Sequence, residues 1–491
     1  MRKEVVVTVA AVATAVLVVA VATITQYKRK KEKQLKKTQR IVRKFARECA
    51  TPVAKLLKVA NALASDMETS LAAGENTTLD MLVSYATSLP NGDEKGQYYG
   101  LNLRGNNFLI LCARLGGKDE PITDLHREEI SIPSNLLLAT SQELFDYVAV
   151  ELAKFVAANP GDIANDGSER MKKLGVTVSY PVDQIASTSG SAIQWKTFSA
   201  DDTVGKALLN DINGAIEKQG LNMQVFAMVD ETVGNLGGGR YYNKDTVAAV
   251  TLASTTNAAY VEPVQAISKW HGPSPLSGEM AISMEWGNFN CAELPITEFD
   301  ATLDSESSNP GTKIFEKMIS ATYLGEIVRR VLLKIAKETS LFGDHVPTKL
   351  AIPFLLSSPD MAAMHQDASD DRGIVGEKLQ EIFGIADPTL AARAVVAEVC
   401  DIVAERGARL AGAGIVGIIK KLGRVENKKS VVSVEGGLYE HYRVFRNYLH
   451  SSVWEILGNE HSDNVLIEPS HGGSGAGALF LAACQTHNPD S

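Results

Sequence analysis

The chain has 491 residues, of which 45% are hydrophobic and 22% are charged, and its formal net charge is -9. These values exclude a disordered chain, a collagen-like chain and a polytopic membrane protein, and the length suggests two to three domains. The charge is unevenly divided: residues 1–47 carry 13 basic and 2 acidic residues, a net +11, whereas the remainder carries 36 basic and 56 acidic residues, a net -20. An acidic body argues against nucleic-acid binding, which needs a basic surface.

The N-terminal segment Val5–Thr25 consists of 21 uncharged residues. As a helix it would be about 31 Å long, enough to cross the hydrocarbon core of a bilayer. Basic residues follow it at once, namely Lys28, Arg29, Lys30, Lys31, Lys33, Lys36 and Lys37. Because basic flanks stay on the cytosolic side, the sequence predicts a transmembrane helix with the body facing the cytosol. The competing interpretation is a cleaved secretory signal peptide, since Ala20-Val21-Ala22 offers small residues for cleavage.

The cysteines and histidines indicate no metal or disulfide chemistry. The five cysteines are scattered without a CxxC pair, and the nine histidines show no HExxH spacing. The sequence therefore predicts neither a disulfide framework nor a metal site built by the protein, and it agrees with a cytosolic body.

Hydrophobic periodicity and turn residues predict strands interleaved with helices. Helices are predicted at residues 28–70, 144–157, 204–220, 311–339 and 377–422, and a closing helix opens at 472–477. Strands are predicted at residues 98–103, 108–115, 176–180, 224–229, 247–252 and 430–434, the first two as a hairpin. This alternation indicates an α/β architecture with more than one sheet.

Four turns rich in small residues follow predicted strands. They lie around Gly105, at Ala253-Ser254-Thr255-Thr256-Asn257, at Gly436-Gly437 and at Gly472-Gly473-Ser474-Gly475. Such turns present backbone N–H groups and hydroxyls, which is the equipment for holding phosphate oxygens. The chain has no GxxxxGK[ST] run, which excludes a P-loop, and it lacks a Rossmann fingerprint.

Several ordered sequence blocks share one pattern. They are the runs at residues 45–52, 92–96 (GDEKG), 238–242 (GGRYY), 257–262 (NAAYVE), 284–289 (MEWGNF) and 323–327 (YLGEI). Together these blocks resemble the plant hexokinase family over nearly the whole chain. The resemblance implies an α/β actin-like ATPase (ribonuclease-H-like) fold, in which two domains surround a cleft for sugar and ATP with Mg²⁺. It also implies glucose or another hexose as ligand. The anchored branch of the family lies on the mitochondrial outer membrane.

The resemblance also implies a division of the chain into domains. The expected parts are a membrane anchor at 1–27, a basic cytosolic flank at 28–47, a large hexokinase domain at 48–95 and 232–473, a small hexokinase domain at 96–231, and a C-terminal helix at 474–491 that returns to the small domain.

The resemblance assigns the sugar contacts mostly to residues that the family retains. Asn257, Glu285 and Glu316 match its sugar-binding positions. Lys196 and Thr197 map loosely to the family's Thr-Lys-Gly-Phe run. A buried hexose needs many convergent polar groups, because each unpaired hydroxyl is costly.

The family's base and metal positions are changed. Its Asn-Asp-Thr-Val-Gly run is Asp230-Glu231-Thr232-Val233-Gly234 here, so Glu231 aligns with the catalytic base and Asp230 with a sugar-binding Asn. Where the family has LDLGGTNFR, this chain has LNLRGNNFL, with Asn102 replacing an Asp that helps hold Mg²⁺. An amide cannot supply that charge, and a longer Glu displaces the base.

The resemblance assigns phosphate and adenine contacts to the small-residue turns, at Gly105, Asn106, Asn107, Ser254, Gly436, Gly473, Ser474 and Gly475. In the first turn, Arg104 replaces a glycine that lets the backbone approach phosphate.

The sequence therefore predicts a protein that binds hexose and ATP, with weak or lost 6-phosphotransferase activity and a sugar-sensing or regulatory role. One alternative is an active ATP-dependent hexokinase of glycolysis that uses Glu231 as base. Another is a scaffold without sugar binding. The sequence does not identify protein partners.

Overall fold

The computed structural model describes residues 25–26, 29–72, 77–84, 86, 88–104, 106–136, 140–159, 171–178, 203–268, 270, 277–426, 428–471 and 474–485. Residues 1–24, which hold nearly all of the predicted membrane span, lie outside these ranges. Among the helices of the described ranges, none is long and apolar enough to cross a bilayer.

The strands fall into two mixed sheets. They are β1 (Leu82–Val83), β2 (Lys95–Leu103), β3 (Asn107–Gly116), β4 (Thr123–Ser131), β5 (Lys172–Val178), β6 (Met223–Asp230), β7 (Thr246–Leu252), β8 (Thr256–Pro263), β9 (Glu279–Ser283), β10 (Ser430–Glu435) and β11 (Val465–Pro469). One sheet has the order β4-β3-β2-β5-β6, and the other has the order β1-β9-β8-β7-β10-β11.

The two sheets repeat one topology. In the first, β3 pairs antiparallel with β2 and β4, while β2, β5 and β6 run parallel. In the second, β8 pairs antiparallel with β7 and β9, while β7, β10 and β11 run parallel. If β2 is counted as the first strand of one sheet and β7 as the first strand of the other, the five strands β2–β6 and the five strands β7–β11 have the same spatial order, 3-2-1-4-5. At or near the carboxyl ends of the parallel strands, where α/β folds place their sites, lie Asn102 of β2, Asp230 of β6 and Glu435 of β10.

The helices are α1 (residues 29–49), α2 (Val53–Leu71), α3 (Ser141–Ala158), α4 (Thr203–Lys218), α5 (Glu231–Tyr242), α6 (Glu298–Glu306), α7 (Ile314–Ile319), α8 (Ala321–Glu338), α9 (Ser358–His365), α10 (Gly373–Phe383), α11 (Leu390–Lys421), α12 (Gly437–Glu440), α13 (Arg443–His461) and α14 (Ser474–Cys484). Short 3-10 helices lie at Val264–Ala266, Trp286–Asn288, Thr348–Ala351 and Ser462–Asn464.

Burial explains the composition of the strands. Every residue of β7 is buried, and its sequence TVAAVTL is the continuous apolar run of a central strand. The edge strand β4 is almost entirely exposed, and its sequence TDLHREEIS is charged, which discourages pairing with other chains. Composition alone thus separates the centre of one sheet from the edge of the other.

The chain divides into two compact units. One comprises Met1–Ala50, Pro295–Glu306 and Tyr323–Arg406, and the other comprises Thr51–Leu294, Ser307–Thr322 and Gly407–Ser491. The second unit contains both sheets. The hexokinase domain boundaries expected from the sequence stay predictions.

Most predicted elements are present, with corrected bounds. The predicted helix at 311–339 is two helices, α7 and α8, which meet at Ser320. The turn predicted at residues 253–257 is shorter, because Thr256 and Asn257 already belong to β8. The sequence interpretation did not identify β1, β4, β8, β9 or β11. Of these, β1 has only two residues and β4 is charged, so neither shows a buried strand's pattern.

A close approach of two helices fixes the C-terminal helix. α14 packs against α5 and against β2 and β5. At Gly477 a side chain would be impossible without movement, because a Cβ atom there would lie 2.0 Å from the carbonyl oxygen of Gly234 in α5. By contrast, a Cβ atom at Gly214 in α4 would meet nothing within 4 Å.

We expect Gly477→Ala and Gly214→Ala to change stability in opposite directions. Gly477→Ala forces α14 off α5 and should lower the free energy of unfolding by about 1–3 kcal/mol. Gly214→Ala only raises helix propensity and should increase it by about 0.5–1 kcal/mol. Urea unfolding of both variants measures the difference. A neutral Gly477→Ala would contradict the close packing of α14 on α5.

Candidate active site

The junction of β6 and α5 places two carboxylates side by side. Asp230 ends β6 and caps α5, where its Oδ1 accepts hydrogen bonds from the N–H groups of Thr232 (2.8 Å) and Val233 (3.0 Å). Glu231 is the first residue of the helix. An Asp is a favoured N-cap, and negative charge is stabilised at a helix N-terminus. The predicted base therefore begins a helix whose first N–H groups are occupied by its neighbour.

A buried amide contacts the predicted base. Asn102 lies near the carboxyl end of β2 and is fully buried. Its Nδ2 donates a hydrogen bond of 3.1 Å to Oε1 of Glu231. One carboxylate oxygen of Glu231 is thus held by the residue that stands where the resemblance expects an Asp.

The predicted sugar-binding amide belongs to a hydrogen-bonded network. Asn257 in β8 is buried, and its Nδ2 donates to Oγ of Ser283 (3.0 Å) and to Oε1 of Glu285 (2.9 Å). Its Oδ1 accepts from the N–H of Ala258 at 2.7 Å. The side chain of Ser283 also donates to Asp230. Asp230, Ser283, Asn257 and Glu285 therefore form one continuous polar chain.

Glu285 is held in an unusual position. It follows β9 in a left-handed conformation (φ 53, ψ 44) and is only 5% exposed. Burial raises the pKa of Glu285 to about 8, the carboxylate of Asp230 adds to the rise, and Lys313 opposes it. Burial likewise raises the pKa of Asp230, while hydrogen bonds from Ser283 and two backbone amides limit that rise. Near neutral pH, Glu285 is therefore mostly protonated and can donate a hydrogen bond.

Glu316 adds a third predicted sugar contact to the same region. It lies in α7 and is buried, and its Oε2 accepts from the N–H of Thr256 at 3.3 Å. The ammonium group of Lys313 lies 3.8 Å from its Oε1. The carboxylate of Glu316 also contributes to the raised pKa of Glu285. Asn257, Glu285 and Glu316, which the resemblance assigns to one sugar site, thus lie in the same region as Asp230.

The first predicted phosphate turn, of which the structure describes Arg104, Asn106 and Asn107, contacts the edge strand β4. The guanidinium of Arg104 lies 3.6 Å from Oε1 of Glu129 in β4, and Nδ2 of Asn107 donates to the same oxygen at 2.6 Å. Asn106 is exposed, and its carbonyl accepts from the N–H of Ile132 at 2.8 Å. The side chain of Asn107 and the carbonyl of Asn106 therefore contact the β4 side of the sheet, while the carbonyl of Asn107 accepts from the N–H of Arg104 at 2.9 Å.

The second phosphate turn is held by the start of α8. Ser254 is exposed, and its carbonyl accepts from the hydroxyl of Thr322 at 2.6 Å. The carbonyl of Ala253 accepts from the N–H of Ala321 at 2.8 Å. The carbonyl oxygens of this turn are thus occupied, and the exposed hydroxyl of Ser254 stays at its surface.

A third turn packs against the second. Gly436 follows β10 with φ of 107, and a Cβ atom there would lie 2.3 Å from the carbonyl oxygen of Leu252. Only glycine fits this approach. Next to it, Oε1 of Glu435 accepts from the hydroxyl of Thr251 (3.1 Å), which is itself 2.9 Å from the hydroxyl of Thr232 in α5. A chain of hydroxyls therefore connects the Gly436 turn to the helix that begins with Glu231.

Four predicted site residues, Gly105, Lys196, Thr197 and Gly473, lie outside the described residues. Ser474 and Gly475 open α14, as the predicted helix start requires.

The chain is similar to hexokinases along nearly its whole length. Two family models, both described as Hexokinase, match residues 41–241 and 247–484. Hexokinase-1 of Arabidopsis thaliana is 50% identical over 449 residues, and Hexokinase-1 of Spinacia oleracea is 49% identical, each match covering 90% of both chains. The chain belongs to the hexokinase family. The resemblance to plant hexokinases that the sequence blocks indicated is thereby confirmed.

A solved hexokinase shares the fold. The structure of the hexokinase from Schistosoma mansoni complexed with glucose is 27% identical to this chain, with a TM-score of 0.74, and the match covers 92% of this chain and 99% of that chain. A second solved hexokinase gives a TM-score of 0.76 at 25% identity. The predicted α/β actin-like ATPase fold is therefore confirmed.

Hexokinases use ATP and Mg²⁺, and the residues of this chain fit the two unequally. On the predicted nucleotide side, Ser254 is exposed and carries a hydroxyl that suits a phosphate group, whereas the N–H of Gly436 already donates to Oε1 of Glu440 at 3.0 Å. The position of Asn102 does not suit Mg²⁺, because its amide supplies no charge and donates to Glu231. The described residues therefore fit Mg²⁺ poorly at Asn102, and they leave Ser254 as an exposed polar residue on the predicted nucleotide side.

The sequence interpretation missed several residues of the site. Ser283 connects Asp230 to Asn257, Lys313 is the cation near Glu285, and Thr251 joins Thr232 to Glu435. A signal existed only for Thr251, which precedes the predicted phosphate turn. The contact of Ser283 with Asn257 depends on the pairing of β8 with β9, and the position of Lys313 depends on its left-handed backbone. No local sequence pattern predicts either feature.

The raised pKa of Glu285 predicts a loss of stability as pH increases. An unfolded Glu titrates near pH 4.3, whereas folded Glu285 titrates near 8, so between these values the folded chain binds more protons. The free energy of unfolding should therefore fall with rising pH from about 5 to about 8, by up to about 1.4 kcal/mol per pH unit. Glu285→Gln should flatten this slope, as measured by urea unfolding across the range.

Glu128→Gln is the matched control, because Glu128 lies exposed on β4. It should leave the slope unchanged. Equal slopes for the wild type and Glu285→Gln would contradict the raised pKa.

Proposed function

We propose that this hexokinase-family chain binds hexose but transfers phosphate to it weakly or not at all. The observation that carries the proposal is the hydrogen bond from Asn102 to Glu231. It joins two of the positions at which this chain departs from the family pattern, and it leaves an amide where the family uses a carboxylate.

Hexose binding is supported by the convergence of buried polar groups. Asn257, Glu285 and Glu316 are each less than 10% exposed, and they offer both acceptors and, through protonated Glu285, a donor. Sugar hydroxyls need both kinds of partner. The relative from Schistosoma mansoni was solved with glucose, which supports the same ligand class here.

Weak phosphoryl transfer is supported by three changes in charge and length. Asn102 removes an acid that the family uses near Mg²⁺. Glu231 is one methylene longer than the family's Asp, and a displacement of about 1 Å can cost about 100-fold in rate. Asp230 places a second carboxylate beside the base, where it would repel an incoming γ-phosphate. Arg104, which could offset that charge, is paired with Glu129.

The role that fits these properties is sugar sensing or regulation from a membrane. A protein that closes on glucose without consuming it can report the sugar concentration by a shift between two conformations. The apolar run Val5–Thr25 and the basic residues after it support an anchor that leaves the body in the cytosol. By resemblance to the anchored branch, we propose the mitochondrial outer membrane as its location.

A working hexokinase is the second candidate. Glu231 keeps a carboxylate at the first residue of α5, and the bond from Asn102 gives that carboxylate a fixed orientation. A base needs such positioning near the 6-hydroxyl of the sugar. In this alternative the longer side chain reaches the hydroxyl from a slightly different backbone position.

We expect the full chain to show a glucose-dependent thermal shift and little turnover. Glucose 6-phosphate formation with Mg-ATP should stay far below about 1 per second, the lower end of ordinary enzymes. Asn257→Ala should abolish the shift, because it removes the amide of the buried network. Turnover above that value would establish the active alternative. A chain that gives no shift at millimolar glucose would be a scaffold.

We expect activity to return only when both altered regions are restored. The variants are Glu231→Asp, the triple variant Asn102→Asp, Arg104→Gly and Asn106→Thr, and their combination. The combination should raise kcat by more than the product of the separate effects, because base and phosphate groups act on one transition state. Thermal shift with glucose serves as the control for an intact sugar site. Multiplicative or absent effects would mean that the two regions are not coupled.

A further inference from the structure

Helix α1 presents two different faces. Its inner face carries Thr38, Val42, Phe45 and Cys49, all buried, and the ring of Phe45 packs edge-on against Phe299 at 5.3 Å. These residues recur every three or four positions, which is the pattern of a helix packed on one side. The other side of α1 is therefore a surface.

That surface carries a continuous row of basic residues, which we call the basic stripe. It consists of Arg29, Lys33, Lys36, Arg40, Arg43 and Arg47, all of them exposed. Their spacing alternates between four and three residues, so they lie along one face of the helix. At about 1.5 Å per residue, the stripe is about 27 Å long.

Most of the basic stripe differs in its pairing from Lys37 and Lys44 of the same helix. Lys37 and Lys44 form ion pairs with Glu338 and Glu298 of the same compact unit. In the stripe, Lys36 pairs with Glu32 one turn earlier. Within the part of the chain that the structure describes, Arg40, Arg43 and Arg47 form no ion pair, and they line a shallow depression of the surface. These arginines are therefore available to an anionic partner.

We propose that the basic stripe is a docking surface for the headgroups of anionic phospholipids in the membrane that the apolar span enters. The proposal rests on the proposed anchor. Arg29 follows the span Val5–Thr25 by four residues, so the stripe begins where the bilayer surface would lie. Basic residues beside a membrane-entering segment contribute about 1 kcal/mol each, or about fivefold in partition, on an anionic surface.

Lipid is favoured over nucleic acid by the rest of the chain. The body beyond residue 47 has a net charge of -20, which would repel a polyanion that extends past the stripe. A planar membrane meets only the helix face that lies on it.

The experiment uses the full chain and vesicles of two compositions. Phosphatidylcholine vesicles measure the apolar span, and the same vesicles with added phosphatidylserine measure the stripe as well. The test variant is Arg43→Gln/Arg47→Gln, at the end of the stripe farthest from the span. The matched control is Lys428→Gln/Lys429→Gln, which removes the same charge from two exposed residues immediately before β10.

All forms should bind neutral vesicles equally. On anionic vesicles, Arg43→Gln/Arg47→Gln should lose about 30-fold in partition relative to the wild type, and the control should lose nothing. Raising salt from about 0.1 M to about 1 M should abolish the difference, because the Debye length falls from about 10 Å to about 3 Å. Equal partition of the test variant and the wild type would overturn the proposal.

A second measurement covers the case in which the span alone keeps every variant bound. An arginine-specific reagent followed by mass spectrometry should modify Arg43 and Arg47 several-fold more slowly on anionic than on neutral vesicles. Unchanged rates would overturn the proposal. Failure of binding to neutral vesicles, with stripe-dependent binding to anionic ones, would reject the anchor and keep the stripe. Tighter binding to duplex DNA than to anionic vesicles at equal phosphate concentration would reject lipid as the occupant.

Discussion

The site depends on the way Asp230 holds the start of α5. Its carboxylate accepts two backbone N–H groups and a hydroxyl, so it determines both where the helix begins and where Glu231 lies. A cap of this kind contributes about 1 kcal/mol to the helix, which is a structural reason for an acid at this position. The same carboxylate is part of the polar chain that reaches Asn257 and Glu285. One side chain therefore couples the fold of the strand–helix junction to the protonation of the sugar site.

Elements with a strong periodic pattern could be predicted from the sequence. The hairpin of β2 and β3, the buried strand β7 and the long helices follow from apolar spacing and turn residues. The exposed strand β4 could not, because its residues satisfy no buried pattern and it exists only through pairing with β3. The break between α7 and α8 could not be predicted either. Ser320 ends one apolar stripe and Ala321 begins the next, and no Pro or Gly marks the boundary between them. Contacts between distant segments, rather than local sequence preference, determine these two features.

The candidate site was likewise only partly predictable from the sequence. Family blocks in the sequence were enough to select Asn257, Glu285, Glu316 and Glu231, and the structure brings these residues into one region. The local sequence does not predict the ion pair between Arg104 and Glu129, because the two residues meet only across neighbouring strands. The bond between Asn102 and Glu231 joins residues 129 positions apart and depends on the order β2-β5-β6. Pattern can therefore name the members of a site, whereas the sheet topology decides which of them contact each other.

Under the proposed function, the position of each charge is the reason why sugar binding and phosphoryl transfer would respond differently to the same changes. Asn102 removes an acid near the phosphate turn, and Asp230 adds one beside the base. A hexose is uncharged, so it would meet Asp230 only as a hydrogen-bond acceptor whose charge is already shared with two helix N–H groups. ATP carries several negative charges, and a unit charge about 4 Å away opposes another by about 4 kcal/mol near a protein surface. An energy of that size corresponds to nearly a thousandfold in rate. We therefore expect the changed charges to oppose the binding of the phosphate, while the buried groups that would face the sugar keep their hydrogen-bond partners.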